Sequence, residues 1–138
     1  MNLEENFITI DDKEIEVTSD LFFDSYAFFE ILKGNKNYKK YGALGIVTTK
    51  LNMFELYFGV LRETDVEEAE KVIQKYFTFV VDFDEDVIKE AAKLKILLNK
   101  RNVSMTDCIG YCLAKQLGIK FLTGDKQFEK MENVEYVK

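Results

Sequence analysis

The stretch SMTDCIGYCLAKQLGIKFLTGDKQFEKMENVEYV, residues 104–137, decides the fold class. Apolar residues recur at helical spacing through DCIGYCLAKQLG (107–118), which predicts a helix capped by Thr106 and ending in Leu117-Gly118. IKFLT (119–123) then reads as a strand, Gly124 as a turn, DKQFEKM (125–131) as a short helix and VEYV (134–137) as another strand. The same alternation continues toward the N-terminus. DEDVIKEAAKLKILLNKR (84–101) is an amphipathic helix with acids first and bases last, as the helix dipole prefers, and TFVVD (78–82) is a β-branched strand. Thr64 or Asp65 caps a helix over 65–77, KLNMFELYFGVLRE (50–63) is a helix, and ALGIVTT (43–49) suits a buried strand. SYAFFEILK (25–33) is a helix stopped by Gly34, and LFFD (21–24) is an apolar run that ends in a carboxylate. Strands separated by helices of this length pair in parallel through right-handed crossovers. The expected fold class is therefore α/β, a parallel β-sheet covered by helices.

Residues 1–20 stand apart. FITIDDKEIEV (7–17) alternates apolar and polar on either side of DDKE, which predicts an extra N-terminal β-hairpin preceding a body of residues 21–138. Its Phe7, Ile8, Ile10, Ile15 and Val17 are suited to packing on a sheet, so a sheet extension is expected rather than a gate over a site. The net charge of −6 belongs to this extension, which carries seven acids against one Lys, and the body is neutral. The acidic total thus says little about whether the body meets nucleic acid. No window reaches the roughly 18 apolar residues of a membrane span and the acidic start is unlike a signal peptide, so a cytoplasmic location without membrane contact is expected.

Histidine is absent, which excludes serine triads, His-assisted RNA cleavage and His-ligated zinc in their usual forms. Cys108 and Cys112 lack the further ligands of a structural zinc site and read as buried free thiols. Acid, base and ligand chemistry falls to carboxylates. Functional groups of open α/β sheets collect at the carboxyl ends of strands and the amino ends of the following helices. Asp24 ends a strand, Asp107 opens a helix, and Asp125 follows a strand after one glycine. Glu55, one to two turns into its helix, could reach the same edge, and within MFELYFGV a lone carboxylate is costly unless paired or metal-bound. Four hard oxygen donors would suit Mg²⁺ or Mn²⁺. Each acid also has a plainer reading: a strand-end cap for Asp24, a helix-start acid for Asp107, a turn residue for Asp125 and an exposed helix position for Glu55.

The chain from about Leu21 to Val137 resembles PIN domains, and within them the VapC-like toxins of prokaryotic toxin-antitoxin pairs. The resemblance rests on LFFDSYAFFEILKGN, VTTKLNMFELYFGV, SMTDCIGYCLAKQLG and IKFLTGDKQFEKMENVEYV, in that order. It implies a Mg²⁺- or Mn²⁺-dependent ribonuclease whose acidic site is Asp24, Glu55, Asp107 and Asp125, supported by the hydroxyls of Ser25 and Thr123. It further implies an RNA substrate, an antitoxin partner and a homodimer. Tyr26 stands where the family more often has a small or polar residue, Gln127 stands where an acid is often seen, and residues 1–20 exceed the usual start.

An anionic substrate calls for basic surface nearby. KGNKNYKKY (33–41) offers Lys36, Lys39 and Lys40 for phosphates and Tyr38 for base stacking, although a solvated loop reads equally well. The abundant phenylalanines, Phe54 and Phe58 among them, are expected in the core or a dimer surface. Two other readings stay open. Asp82 at the end of TFVVD would fit a phospho-accepting receiver domain, although the acid pair such a domain needs is not present in LFFDSY. A PIN-like scaffold that binds RNA or protein without catalysis would need no metal.

Overall fold

A computed structural model describes the backbone of residues 7–10 and 13–16 and then residues 20–138, with residue 44 excepted. FITI and KEIE form antiparallel strands β1 (Phe7–Ile10) and β2 (Lys13–Glu16), pairing Phe7 with Glu16 and Ile10 with Lys13. The expected hairpin is therefore present as a ladder. Its turn at 11–12, Val17 and the packing of its apolar side chains lie outside the described residues. Among the described residues the pair forms a sheet of its own.

The body is built on a four-stranded parallel sheet. Its strands are β3 (Leu21–Phe23), β4 (Ile46–Val47), β5 (Lys120–Thr123) and β6 (Val134–Tyr136), in the order β4-β3-β5-β6. Helices α1 (Ser25–Leu32), α2 (Lys50–Glu63), α3 (Val66–Tyr76), α4 (Glu85–Leu97) and α5 (Met105–Leu117) provide the crossovers. Side chains alternate across a strand, so β3 and β5 each feed two cores. Phe22 and Phe121, paired in register, stack 5.7 Å apart toward α4 and α5, beside Val87, Ala91 and Leu113. Leu21, Phe23 and Leu122 face the other way, onto Phe28, Met53, Leu56 and Tyr76 of α1, α2 and α3. A sheet covered on both faces explains why LFF is apolar throughout rather than alternating.

Helix boundaries follow local chemistry. Thr49, Asp65 and Asp84 cap α2, α3 and α4 by accepting from the backbone N–H of Asn52, Glu68 and Val87. Gly118 closes α5 in the left-handed region at φ 71°. Three expectations need correction. The cap of α5 is Ser104, not Thr106: the Ser104 hydroxyl accepts from the Asp107 amide at 3.1 Å and the Asp107 carboxylate accepts from the Ser104 amide at 2.9 Å. TFVVD is no full strand. Phe77–Phe79 is a 3₁₀ turn and Val80 makes a single parallel bridge to Thr48, because the next residue, Thr49, already turns into the cap of α2 and leaves nothing to pair with. Helix α4 ends at Leu97 rather than near 101, as Leu98 dives into the core.

Gly110 shows how tightly α5 lies on the sheet. A Cβ there would come within 2.7 Å of Phe22 Cε1 and 3.2 Å of Phe121 Cε1, both rings being fully buried. Alanine gains about 1 kcal/mol of helix propensity over glycine. Overpacking a core costs about 1–3 kcal/mol. Gly110→Ala is therefore expected to lower stability in a denaturant titration, and a stabilised variant would show that the stacked ring pair can slide.

Candidate functional site

Local caps and side-chain bonds between distant segments bring the acids to one edge of the sheet. Asp24 follows β3 and caps α1, its Oδ1 accepting from the Ser25 amide at 2.8 Å. Its Oδ2 accepts from the Thr123 hydroxyl at 2.7 Å, a bond between residues on adjacent strands. The Thr123 oxygen in turn accepts from the Asp125 amide at 3.0 Å, and Asp125 caps the 3₁₀ turn Lys126–Phe128 by accepting from the Gln127 amide. From α2, Glu55 Oε1 accepts from the Ser25 hydroxyl at 2.6 Å. Asp107 enters from the first turn of α5.

Ser25 and Thr123, expected as hydroxyl-bearing supporters, are thus hydrogen-bonded to the acids. Behind Ser25 stands Asn52, fully buried, which the sequence reading passed over. Its Nδ2 donates to Ser25 Oγ at 3.0 Å and its Oδ1 accepts from the Thr49 hydroxyl at 2.6 Å. A chain Thr49–Asn52–Ser25–Glu55 results. A signal existed, since Thr49 and Asn52 lie at the spacing of a capping residue and its third helical neighbour.

All four acids line one open cleft of about 470 Å³, together with Ser25, Tyr26, Phe54, Phe58 and Arg62. Burial raises the carboxyl of Asp24 well above its usual range, and the charge of Asp107 raises it further against the opposing bonds from Thr123 and Ser25. Burial also raises Asp107 and Glu55, with smaller opposing effects from Ser104 and Ser25 respectively. Charge on Asp107 therefore disfavours charge on Asp24 beside it.

Among the described residues, no group of three or more cysteine, aspartate or glutamate side chains is arranged so as to hold a metal ion. The donor chemistry nevertheless fits a hard divalent cation. Every donor is a carboxylate oxygen on a shared cleft, the burial that raises Asp24, Glu55 and Asp107 disfavours their charge, and Mg²⁺ ordinarily keeps several waters rather than a full protein cage.

Other expectations are redistributed. Tyr38 is fully buried, its ring centroid 6.0 Å from that of Tyr41, and its hydroxyl donates to the Val137 carbonyl. Its ring therefore cannot stack on a base. Lys36, Lys39 and Lys40 are exposed, but none lines the acidic cleft. Phe54 and Phe58, expected in a core or dimer surface, are 70% and 52% exposed and stack on each other at the cleft rim. Asp82 is exposed and follows an isolated bridge instead of a central strand, which removes the receiver-domain reading. Both cysteines are free, as expected, but only Cys108 is buried; Cys112 is half-buried, and burial still pushes its thiol up to about 11. A larger cleft, about 650 Å³, opens between α4 and α5 around Leu94, Leu97 and Tyr111, but none of the four acids reaches it. No helix among the described residues is long and apolar enough to cross a membrane.

Comparison with known proteins agrees with this architecture. The family model of the PIN domain matches residues 21–134. Among solved structures, the chain is similar to VapC20 of Mycobacterium tuberculosis, a Sarcin-Ricin loop cleaving toxin, with TM-score 0.71 and 16% identity over 86% of this chain and 99% of that one. It is also similar to VapBC2 of Rickettsia felis bound to a DNA fragment from its promoter, with TM-score 0.66 and 14% identity over 86% and 99%. A third similar structure is VapBC-1 of nontypeable Haemophilus influenzae, with TM-score 0.65 and 18% identity over 85% and 96%. Identities this low speak for the shared fold. No curated protein matches the sequence significantly.

Proposed function

The chain belongs to the PIN domain family, and from that premise we propose that it is a VapC-like toxin that hydrolyses RNA phosphodiester bonds. One observation carries the reading: four acids from four separate chain segments line a single cleft at the carboxyl edge of the parallel sheet. Asp24, Glu55, Asp107 and Asp125 would hold Mg²⁺ or Mn²⁺ and serve as the catalytic set. The bound ion supplies the positive charge that activates water and steadies the phosphate oxygens of an in-line displacement.

The chain's own groups do the positioning. Thr123 and the Ser25 amide orient both oxygens of Asp24, and Ser25, itself held by Asn52, fixes Glu55. The Ser104 amide holds one oxygen of Asp107, which lines the cleft. Exposed Lys36, Lys39 and Lys40 are proposed to contact RNA phosphates outside the cleft. Solved relatives of this fold are VapBC complexes, which supports an antitoxin as protein partner here. A homodimer in the cytoplasm completes the proposal.

The test is cleavage of single-stranded and structured RNAs by the purified chain. Activity is expected with Mg²⁺ or Mn²⁺ and should vanish in EDTA. Cleavage that survives exhaustive chelation overturns the metal mechanism, and RNA binding without any cleavage would return the chain to the scaffold reading.

A further inference from the structure

Many of the helix-borne cations are engaged. Lys71 pairs with Glu67 and Glu68, Lys89 with Glu85, Lys93 with Glu90, and Lys115 with Glu132. A different group is not. Arg101, Lys126 and Lys130 line one open cleft of about 400 Å³ with Gln127 and Glu129, and among the described residues none of the three takes part in an ion pair.

This basic cleft is built from the segments that carry two of the acids. Arg101 lies on the loop leading to Ser104, whose amide and hydroxyl lock Asp107. Lys126 directly follows Asp125 and opens the turn that Asp125 caps. Arg101 Nη1 donates to the Gln127 carbonyl at 3.1 Å, tying the two segments together. That bond uses one guanidinium donor and leaves others for an acceptor in the cleft.

We propose that Arg101, Lys126 and Lys130 form a phosphate-binding subsite that holds the RNA backbone beside the scissile bond. The proposal rests on the ribonuclease reading above. A cleft lined by four acids repels a polyanion, and cations carried on the segments that supply Asp107 and Asp125 offset that repulsion. The guanidinium fork suits two phosphate oxygens, and the ammonium groups act as point charges. No aromatic ring lines this cleft, so it grips the backbone rather than a base. Register on the strand comes from here, and sequence preference does not.

The experiment is RNA binding by fluorescence anisotropy across a salt series, in an Asp107→Asn background that keeps a single-stranded RNA uncut. It compares the intact cleft with Arg101→Ala/Lys126→Ala/Lys130→Ala and with Lys126→Ala/Lys130→Ala, which retains the Arg101 tether. Each phosphate contact contributes a slope of about 0.7 in log K against log salt on single strands, so the slope should flatten by about 2 in the triple variant and about 1.4 in the double. Affinity at low salt should fall about tenfold or more in the triple variant. An unchanged slope overturns the subsite, and so does weaker binding with an unchanged slope, because lost packing would then be the cause. Failure of the ribonuclease reading looks different: the unsubstituted chain would cut no RNA in Mg²⁺ or Mn²⁺, whatever the salt slope.

Discussion

Asp107→Asn is expected to abolish metal-dependent RNA cleavage while leaving the chain folded. The loss should exceed about 100-fold, the upper end of what removing an outer-shell partner of a metal site costs. The fold survives because an asparagine carbonyl can still accept from the Ser104 amide, which the native carboxylate does at 2.9 Å. Without metal the variant should melt at a higher temperature than the unsubstituted chain. Asp107 is raised by burial and in turn raises Asp24, so a neutral amide removes a charge the folded protein disfavours. Circular dichroism melts beside a cleavage assay decide the matter. Full activity removes Asp107 from the site, and joint loss of activity and fold would reduce it to a helix cap.

Metal is expected to stabilise the chain more as pH rises, the second large effect. Asp24, Asp107 and Glu55 are all raised in the folded protein, chiefly by burial. Between the ordinary carboxylate value of about 4 and those raised values, the folded chain binds more protons than the unfolded one. Their contribution to stability is therefore complete below about pH 4 and is lost as pH climbs through the raised values. A divalent cation needs the carboxylates deprotonated, so it meets the least competition where the metal-free protein is weakest. Melting temperatures with EDTA should fall as pH rises above the ordinary carboxylate range, and the increment from Mg²⁺ or Mn²⁺ should grow with that rise, with protons released on binding. An increment that is absent, or equal at every pH, would contradict the shared site.

Most of the fold was legible because the signals that encode it are short in range. LFFD, SYAFFEIL and KLNMFELYFGVLRE declare strand and helix through apolar spacing, and Thr49, Asp65 and Gly118 mark helix ends through hydrogen bonds within one turn. The acids were visible for the same reason, each standing at the end of a strand or near the start of a helix. The misplaced cap at Thr106 was also a local matter, since Ser104 and Asp107 carry the capping-box spacing.

What the sequence by itself determined, then, was the order of strands and helices and which carboxylates end them; partners distant in the chain were decided only by the tertiary structure. TFVVD has strand composition but finds only Thr48 to pair with, because α2 begins at once beyond it. Tyr38, polar in its surroundings along the chain, is buried because the residue that follows β6, Val137, packs into the same core and supplies the carbonyl for its hydroxyl. Asn52 becomes a support for the site only once α1 brings Ser25 to it, and Arg101 joins Lys126 and Lys130 only through the turn that Asp125 caps. Periodicity and capping act over a few residues, whereas burial and side-chain pairing depend on which segments the folded sheet brings together, as Thr123 and Asp24 do across 99 residues of chain.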